Sequence, residues 1–428
     1  MSNLSFCINT ACNELNHIKL LFKSLQENLS SLDHEIIVFI DSDNQGTFEW
    51  LLTQKSVFPN LKILKNKLPI CYGYARNINE MFEFATNDIV SYLQSDMVVC
   101  RDYDLEVIKH LEPNMVVCST RIEPPLHGNS GEKITYDFGL DPTVFDLQTF
   151  TAYADSQKMD RITEYFFAPF TMYKDVWNSI GGHDTMFRRS REDSDILTRL
   201  VLNDAKIKQT WSALVYHFTC TSSRGPQWFN KQNNQAQERA QLQQTADMIE
   251  VGRYITKWGS FDHSLSKTPY YNISAHITGV DMNLINFDTI QQHFHRVYVD
   301  DLYMIPLLQE LFDRKQEPAN KLLNISTDDW KTYGYMYNNL SASDRIYPSN
   351  ELRGQEDVLV QFNIEQVTAE LYNEFISNIQ QIIHNIEETG DYEYGPFIIT
   401  INQKADRATQ KIAVNNPQVK PEHKYSVH

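Results

Sequence analysis

The chain has 428 residues, a formal net charge of −17 and a hydrophobic fraction of 42%. This length exceeds one ordinary hydrophobic core, so we expect two or three domains. The acidic charge disfavours binding to nucleic acid or to an anionic membrane, and no stretch reaches the roughly 18 apolar residues of a membrane span. The six cysteines form no CxxC pair or metal spacing, which favours reduced thiols. We therefore expect a soluble, cytoplasmic protein.

The first third of the chain predicts alternating strands and helices. Leu4–Thr10 is a short apolar strand. Asn13 follows as the predicted N-cap of a helix with apolar residues every three or four positions through Leu29. Glu35–Ile40 is a nearly continuous apolar run that ends in Asp41, typical of a parallel strand buried on both faces. Strand, helix and strand make a βαβ unit, which sets the two strands parallel with a right-handed crossover.

The same alternation continues to a fourth strand. The pattern predicts a helix over 48–52, a strand over 61–64, a helix over 74–84 and a strand over 89–93. Asp96 follows this last strand, just before a second apolar run. Because ligands collect beyond the carboxyl ends of the strands in open α/β sheets, Asp96 is a candidate ligand for a divalent cation on a nucleoside diphosphate. The alternative is a turn aspartate that caps or solvates a loop.

Five short motifs follow one another along the chain: TACNE at 10–14, EIIVFIDSDNQGT at 35–47, ARN at 75–77, LQSD at 93–96, and GGHDTMF with REDSDILTRL between 181 and 200. Their order and spacing resemble those of the family 2 glycosyltransferases, which have the GT-A fold. The resemblance implies a Rossmann-like open mixed sheet flanked by helices. It also implies transfer of a sugar from a nucleotide-activated donor to a hydroxyl acceptor.

The resemblance implies roles around the donor. Asp96 matches the last acid of the family's DxD motif and is the implied ligand of Mn²⁺ or Mg²⁺, which bridges the donor phosphates. Gln94 stands where the family has the first acid of that motif, so it brings no charge. His217 ends an apolar strand and is a second implied metal ligand; the alternative is a core or edge histidine without a special role. The other residues implied to contact the nucleotide sugar are Thr10, Asp41, Arg76 and Arg224.

The acceptor side rests on one carboxylate. Asp193 matches the family's catalytic base, which takes the proton of the acceptor hydroxyl as that oxygen attacks the anomeric carbon, and Glu192 is implied to contact the acceptor. Without the resemblance, residues 192–199 indicate only a helix start with acids favoured by its dipole. Gly181 and Gly182 predict a tight turn upstream. An inverting outcome is implied, and a retaining one stays open. Aromatic residues that could stack on sugar rings, or belong to the core, are Tyr136, Phe138, Tyr153, Tyr165, Phe166 and Phe167.

The second half carries no recognisable motif. Its pattern predicts a helical connector over 232–244, a mostly helical stretch over 283–312, strands over 357–362 and 396–401, a helix over 371–386, and a frayed tail after Lys404. We therefore predict a GT-A domain over 1–262 and an accessory domain, α/β or mostly helical, over 263–428. The accessory domain is expected to bind the acceptor or a partner.

Two other functions compete with sugar transfer. A nucleotidyltransferase would need a Gly-rich, Lys-containing loop after the first strand, where this chain has Ala-Cys-Asn-Glu at 11–14. The second rival is a catalytically weak GT-A domain that binds a nucleotide sugar or a glycan, and Gln94 favours it. No Q-x-x-R-W pattern follows residue 200, which favours transfer of a single sugar over polymerisation.

Overall fold

The structure, a computed structural model, describes residues 3–67, 72–126, 130–185, 187, 190–219, 250–251, 253–255, 257–258, 271–280, 290, 293–300, 346–352, 354, 356–404 and 425–428.

Strands and helices alternate through the first part of the chain. They are β1 (Leu4–Thr10), α1 (Leu15–Asn28), β2 (Glu35–Ile40), α2 (Thr47–Gln54), β3 (Leu61–Asn66), α3 (Tyr74–Phe84) and β4 (Ile89–Gln94). Strands β2 and β4 both pair in parallel with β1, and β3 pairs in parallel with β2. The carboxyl ends of these strands therefore lie at one edge of the sheet. The predicted elements of this part are confirmed.

The same sheet continues beyond β4. Its next elements are β5 (Met97–Val99), α4 (Tyr103–Lys109), β6 (Met115–Glu123), β7 (Lys133–Thr135), α5 (Leu147–Gln157), β8 (Ile162–Thr163), β9 (Phe170–Tyr173), α6 (Lys174–Ser179), α7 (Glu192–Leu202) and β10 (Lys206–His217). Strand β9 is antiparallel to β4 and β6, and β10 is parallel to β6. Strands β6 and β10 therefore run in the direction of β4, and they end at the same edge of the sheet.

Helices cover both faces of this sheet. Apolar side chains of α1 and α5 pack into the core on one face, and side chains of α3, α6 and α7 pack into the core on the other. This two-sided burial explains why β1 and β2 are buried along their whole length. The predicted α/β class, a large mixed sheet flanked by helices, is therefore confirmed for the N-terminal half.

A second sheet lies in the C-terminal half. Its elements are β11 (Ile273–Thr278), β12 (Val297–Val299), β13 (Ile346–Pro348), β14 (Val358–Asn363), α8 (Ala369–Asn385), β15 (Gly390–Tyr394) and β16 (Phe397–Ile401). The strand order is β13-β12-β11-β14-β16-β15. The first four strands are parallel, and β16 is antiparallel to both of its neighbours. Helix α8 places Phe375, Ile379 and Ile383 in the core, as its predicted apolar stripe requires.

The end of the chain belongs to the first sheet. Strand β17 (Tyr425–Val427) pairs antiparallel with β3, so the order is β17-β3-β2-β1-β4-β9-β6-β10-β5, with β7 beside β6 and β8 beside β10. The Tyr425 side chain is buried against Phe39, and the His428 ring packs on Phe48. The prediction of a frayed tail is wrong for residues 425–428, because the edge strand offers both backbone partners and an aromatic site.

Two further predictions need correction. Asn13 is not the N-cap of α1, because it has a φ of 68° and Glu14 is the capping position. The mostly helical prediction over 283–312 is wrong at 297–299, where a Val-Tyr-Val run of high β-propensity forms β12. The predicted connector over 232–244 and the predicted boundary at 262/263 lie outside the described residues, and the boundary stays a prediction. Among the helices that the structure describes, none has the length and apolar character needed to cross a bilayer.

Candidate active site

Three polar side chains meet at the carboxyl edge of the first sheet. Nδ1 of His217 lies 2.8 Å from Oε1 of Glu123, and Nε2 of His217 lies 3.8 Å from Oδ1 of Asp96. In the neutral ring the short contact makes Nδ1 the donor, which leaves the Nε2 lone pair on the side of Asp96. Histidine ligands of metals are commonly oriented by a carboxylate on their other nitrogen in this way.

Glu123 is a fixed negative charge behind His217. It ends β6, and Nζ of Lys133 donates to its Oε2 at 2.9 Å. Burial by itself raises the pKa of Glu123, but the hydrogen bonds from His217 and Lys133 and the charge of Arg121 hold that pKa well below its usual range. Sequence reasoning missed this residue. The signal was available, because Glu123 ends an apolar strand just as Gln94 ends β4.

Asp96 and His217 suit one divalent cation. Two atoms that each lie about 2.1 Å from a cation are about 3 to 4 Å apart, and the 3.8 Å between Oδ1 and Nε2 falls in that range. Oε1 of Gln94 is buried and lacks a hydrogen-bond partner among the described residues. No group of three or more His, Cys, Asp or Glu side chains arranged for a metal occurs in the part of the chain that the structure describes. These residues therefore fit a cation whose remaining ligands are substrate oxygens or water.

Glu14, in the turn after β1, lies behind the Asp96 turn. Its Oε2 accepts hydrogen bonds from the Ser95 hydroxyl at 2.6 Å and from the Ala11 amide at 2.9 Å. Burial raises the pKa of Glu14 to about 7, and the charge of Asp96 adds to that rise against the lowering effect of Ser95. Glu14 is the last residue of the TACNE motif, but the motif did not predict its contact with Ser95 beside Asp96.

The raised pKa of Glu14 predicts a pH-dependent stability. Between pH 4.5 and about 7 the folded protein keeps a proton on Glu14 that the unfolded chain has lost. This contribution to stability is therefore complete below the unfolded pKa and is lost as pH rises through the folded one. We expect the free energy of unfolding of the wild type minus that of Glu14→Gln to fall across this window in urea titrations.

Taking that difference removes an opposing effect. His183 is buried, and burial lowers its pKa to about 3, so its own contribution to stability rises with pH. Both proteins retain His183. A difference between wild type and Glu14→Gln that stays constant across the window would contradict the assignment to Glu14.

Arg121 lies beside Glu123 in the Asp96 cluster. Its guanidinium lies 3.6 Å from the ring centroid of Phe167, and its Nε donates to the Ala168 carbonyl oxygen at 2.5 Å. Burial lowers the pKa of Arg121, and neighbouring charges that oppose this are those of Glu123, Asp96 and Asp193. Two of the predicted site carboxylates, Asp96 and Asp193, are therefore within electrostatic range of one buried cation. No motif indicated Arg121, since a single arginine within a strand carries no pattern.

Asp193 lies in the first turn of α7. Its Oδ1 accepts hydrogen bonds from the backbone amide of Ser194 at 2.6 Å and from the Ser194 hydroxyl at 3.3 Å. The predicted tight turn upstream is confirmed, because Gly181 and Gly182 have φ values of 73° and 77°. A Cβ on Gly182 would lie 2.8 Å from Oδ1 of Asn79, so this turn requires glycine.

A buried ion pair anchors α7 to that turn. Nε of Arg199 donates to Oδ2 of Asp195 at 2.8 Å, and both side chains are fully buried. Nη1 of Arg199 donates to the carbonyl oxygens of Ile180 and Gly182 at 2.7 and 2.6 Å. The other Asp195 oxygen accepts from Lys257 at 2.6 Å and Trp258 at 2.9 Å. The position of Asp193 therefore depends on the Asp195–Arg199 pair two and six residues further on.

The residues predicted to contact the nucleotide lie beside one another. Asp41 accepts from the backbone amides of Tyr72 and Gly73 at 2.6 and 3.1 Å, and burial raises its pKa. The Asp41 amide donates to the Thr10 carbonyl oxygen at 2.9 Å. The Arg76 guanidinium lies 4.3 Å from the ring centroid of Tyr72. In this arrangement Asp41 holds the chain entering α3, and its contact with a nucleobase stays a prediction.

Five of the six aromatic residues predicted near the acceptor form two groups, and the sixth, Phe166, is buried in the core against Phe170. Tyr165 and Phe167 stack with ring centroids 6.2 Å apart, and Phe167 adjoins Arg121. Tyr136, which is 42% exposed, lies 4.1 Å from Tyr153 between ring centroids. The first group is the one that borders the charged cluster. Arg224, predicted to contact the donor, lies outside the described residues.

One protein family matches this chain. Residues 7–177 match the family model described as Glycosyl transferase family 2. No curated protein matches the chain.

Several solved structures are distantly similar. The mannosyltransferase PcManGT from Pyrobaculum calidifontis, in complex with GDP-Man and Mn²⁺, is 14% identical, with 59% of this chain and 64% of that chain covered and a TM-score of 0.40. GalNAc-T7 with UDP, GalNAc and Mn²⁺ is 13% identical, with 51% and 44% covered and a TM-score of 0.39. S. aureus TarS is 12% identical, with 78% and 55% covered and a TM-score of 0.41. The chain spans less than two thirds of each of these proteins, and no functional conclusion follows from likeness at this level.

Proposed function

We propose that this chain, whose residues 7–177 match the model described as Glycosyl transferase family 2, moves a single sugar from a nucleoside diphosphate sugar to a hydroxyl acceptor with inversion at the anomeric carbon. The observation that supports this proposal is the chain of contacts at the carboxyl edge, in which His217 lies 3.8 Å from Asp96 and 2.8 Å from Glu123, and Glu123 lies 3.5 Å from the buried Arg121. The charges of Asp96 and Asp193 both act on Arg121. Sugar transfer needs a group that stabilises the leaving diphosphate and a proton acceptor near the same sugar carbon. We assign the first task to Asp96 and the second to Asp193.

In the proposed reaction Asp193 is the base. The acceptor oxygen attacks the anomeric carbon, the bond from that carbon to the phosphate oxygen breaks, and the electron pair leaves with the diphosphate. The acceptor proton passes to Asp193, whose Oδ1 is held by Ser194. Asp96 and His217 would hold a divalent cation, Mn²⁺ or Mg²⁺, and that cation would supply Lewis-acid stabilisation of the diphosphate. Glu123 would fix the ring of His217.

The donor would occupy the edge formed by β1, β2 and β4. We propose Thr10 and Asp41 for the nucleoside, Arg76 and Arg224 for charged or planar parts of the nucleotide, and Gln94 for a donor hydroxyl. Support comes from the backbone contact between Asp41 and Thr10 and from the buried Gln94 oxygen, which has no partner among the described residues. Acceptor or partner binding remains our proposal for the second sheet, which lies within the predicted accessory domain, residues 263–428. The cytoplasmic location stays a prediction.

The proposal is tested by donor hydrolysis and transfer. Purified protein would be incubated with a panel of nucleotide sugars in Mn²⁺ and in Mg²⁺, and release of nucleoside diphosphate would be measured. Turnover with one donor, raised by a hydroxyl acceptor, is the expected result. Product stereochemistry, read by NMR at the new anomeric carbon, separates inversion from retention.

Removing the carboxylate of Asp96 is expected to weaken cation-dependent binding of nucleoside diphosphate. We expect Asp96→Ala to lower that affinity about 10- to 100-fold in Mn²⁺, the usual cost of disturbing a metal site. Calorimetry with UDP and GDP measures it. The control is Asp33→Asn. Asp33 is exposed and lies just before the start of β2, at the opposite end of that strand from the carboxyl edge. Equal affinities of Asp96→Ala and wild type in Mn²⁺ would remove Asp96 from the proposed site.

A second candidate is a binding module without turnover. The observation that favours it is Gln94, which replaces a charged side chain by an amide at the DxD position and so weakens the attraction for a cation. Binding of a nucleotide sugar without hydrolysis or transfer of any donor, in either metal, would support this alternative.

A further inference from the structure

Arg121 is a cation built into the floor of the proposed active site. It lies near the end of β6 and is 8% exposed. Its Nε donates a hydrogen bond to the Ala168 carbonyl oxygen, its guanidinium plane lies over the Phe167 ring, and its Nη1 lies 3.5 Å from Oε1 of Glu123. Three sides of the guanidinium are therefore held by the fold, so the side chain is preorganised.

The remaining nitrogen of Arg121 is Nη2. Within the described chain, Nη2 is buried and makes no hydrogen bond. A buried donor of a charged group without an acceptor costs more than an ordinary unsatisfied one. In native proteins such groups are usually completed by a ligand, an ion or water. This atom therefore indicates a missing acceptor.

The charges around Arg121 indicate what that acceptor is. Glu123 is the nearest opposing charge, but it is shared with His217 and Lys133, and the charges of Asp96 and Asp193 also act on Arg121. Asp96 is proposed to be neutralised by the cation, and Gln94 supplies no charge. Once a cation binds Asp96, that carboxylate no longer balances the positive charge of Arg121. An anionic oxygen adjacent to that cation satisfies both Nη2 and this charge.

We propose that Arg121 binds the diphosphate of the donor and, together with the cation, stabilises the charge on the leaving diphosphate. This inference rests on the proposed function. As the bond between the anomeric carbon and the phosphate oxygen breaks, the electron pair goes to that oxygen, and Arg121 strengthens its hydrogen bond without giving up its proton. Because arginine is charged at every working pH, part of the diphosphate affinity survives removal of the cation.

The test is calorimetry of UDP, GDP and the matching nucleosides, each in Mn²⁺ and in EDTA. We expect the wild type to retain measurable affinity for one nucleoside diphosphate in EDTA, and Arg121→Gln to lower it about 10- to 100-fold, the range of one hydrogen bond to a charged group. Affinity for the nucleoside, which lacks phosphate, is expected to be the same in both proteins. Arg161→Gln is the matched control, because Arg161 also lies over an aromatic ring, Trp211 at 4.3 Å, but is exposed.

The outcomes separate this inference from the function on which it rests. Equal diphosphate affinity of wild type and Arg121→Gln in EDTA overturns the inference, and so does a wild type that loses all affinity in EDTA. No binding of any nucleoside diphosphate even in Mn²⁺ overturns the proposed function. Should Arg121→Gln fail to fold, Arg121→Met takes its place, since it removes the same charge and keeps an apolar stem against Phe167.

Discussion

Replacing Asp193 by asparagine is expected to abolish measurable sugar transfer while leaving the donor bound. The amide cannot take the proton of the acceptor hydroxyl, and loss of a positioned general base costs about 10²- to 10⁴-fold in rate. Asn keeps the size of Asp and can still accept from the Ser194 amide, which now bonds Oδ1 of Asp193. The fold at the start of α7 is therefore expected to persist.

The measurement is kcat for transfer together with affinity for the nucleoside diphosphate. We expect kcat of Asp193→Asn to fall by the amount given above and the affinity to change less than about threefold, since only a residue of the chemical step separates kcat from binding in this way. Asp160→Asn is the control, because its side chain is 88% exposed and it removes the same charge. An Asp193→Asn protein with wild-type kcat would exclude Asp193 as the base.

Position in the sheet explains why much of the site was predictable. Thr10, Asp41, Gln94 and His217 each follow or end an apolar strand, and parallel strands place their carboxyl ends at one edge. Hydrophobic periodicity therefore predicts that Thr10, Asp41 and Gln94 share one edge, whereas the position of His217 and the roles of all four residues were implied by the family resemblance. The second sheet follows the same logic for β14, β16 and α8, whose apolar patterns are strong.

The residues that were missed have contacts that no local pattern encodes. Glu14 meets Ser95 across 81 positions, and His217 meets Glu123 across 94. Strand β17, at the end of the sequence, pairs with β3, which spans Leu61–Asn66. A periodicity describes one element and the face that it buries, whereas such partners depend on the order of strands in the sheet. A single sequence does not give this order. Strand β9, for example, lies between β4 and β6 and is antiparallel to both.

The motif around Asp193 shows the same limit within one helix. Asp193 and Asp195 are both acids of the first turn, so their sequence context is similar. Two residues apart on a helix, they face different sides. Asp195 points into the core. Burial raises its pKa, but the charges of Arg199 and Lys257 lower it below its usual value, so the carboxylate stays ionised and is paired with these two cations. Asp193 stays at the edge of the cluster. Their separate tasks become clear from burial, which sequence does not give.

Replacing Arg199 by leucine is expected to destabilise the N-terminal domain by about 3 to 5 kcal/mol, the cost of breaking a buried ion pair from one side. The change would leave the carbonyl oxygens of Ile180 and Gly182 without this donor, and Asp195 would keep only the contacts from Lys257 and Trp258. Urea denaturation at pH 7 measures the loss. Arg199→Lys keeps the charge but lacks the separate Nε and Nη1 donors that reach Asp195 and the two carbonyl groups at once, so its stability is expected to lie between those of the wild type and Arg199→Leu.

The chain offers a matched control for Arg199→Leu on the same domain. Nε of Arg101 lies 3.0 Å from Oδ2 of Asp155, nearly the distance of the buried pair, but the Arg101 side chain is 61% exposed. Exposed ion pairs contribute about 0 to 1 kcal/mol, so Arg101→Leu is expected to change stability by no more than that. If both leucine variants lost the same free energy, burial would not be what makes the Asp195–Arg199 pair important. The turn that places Asp193 would then be held by its glycines and by the contact of Asn79 with His183 rather than by this pair.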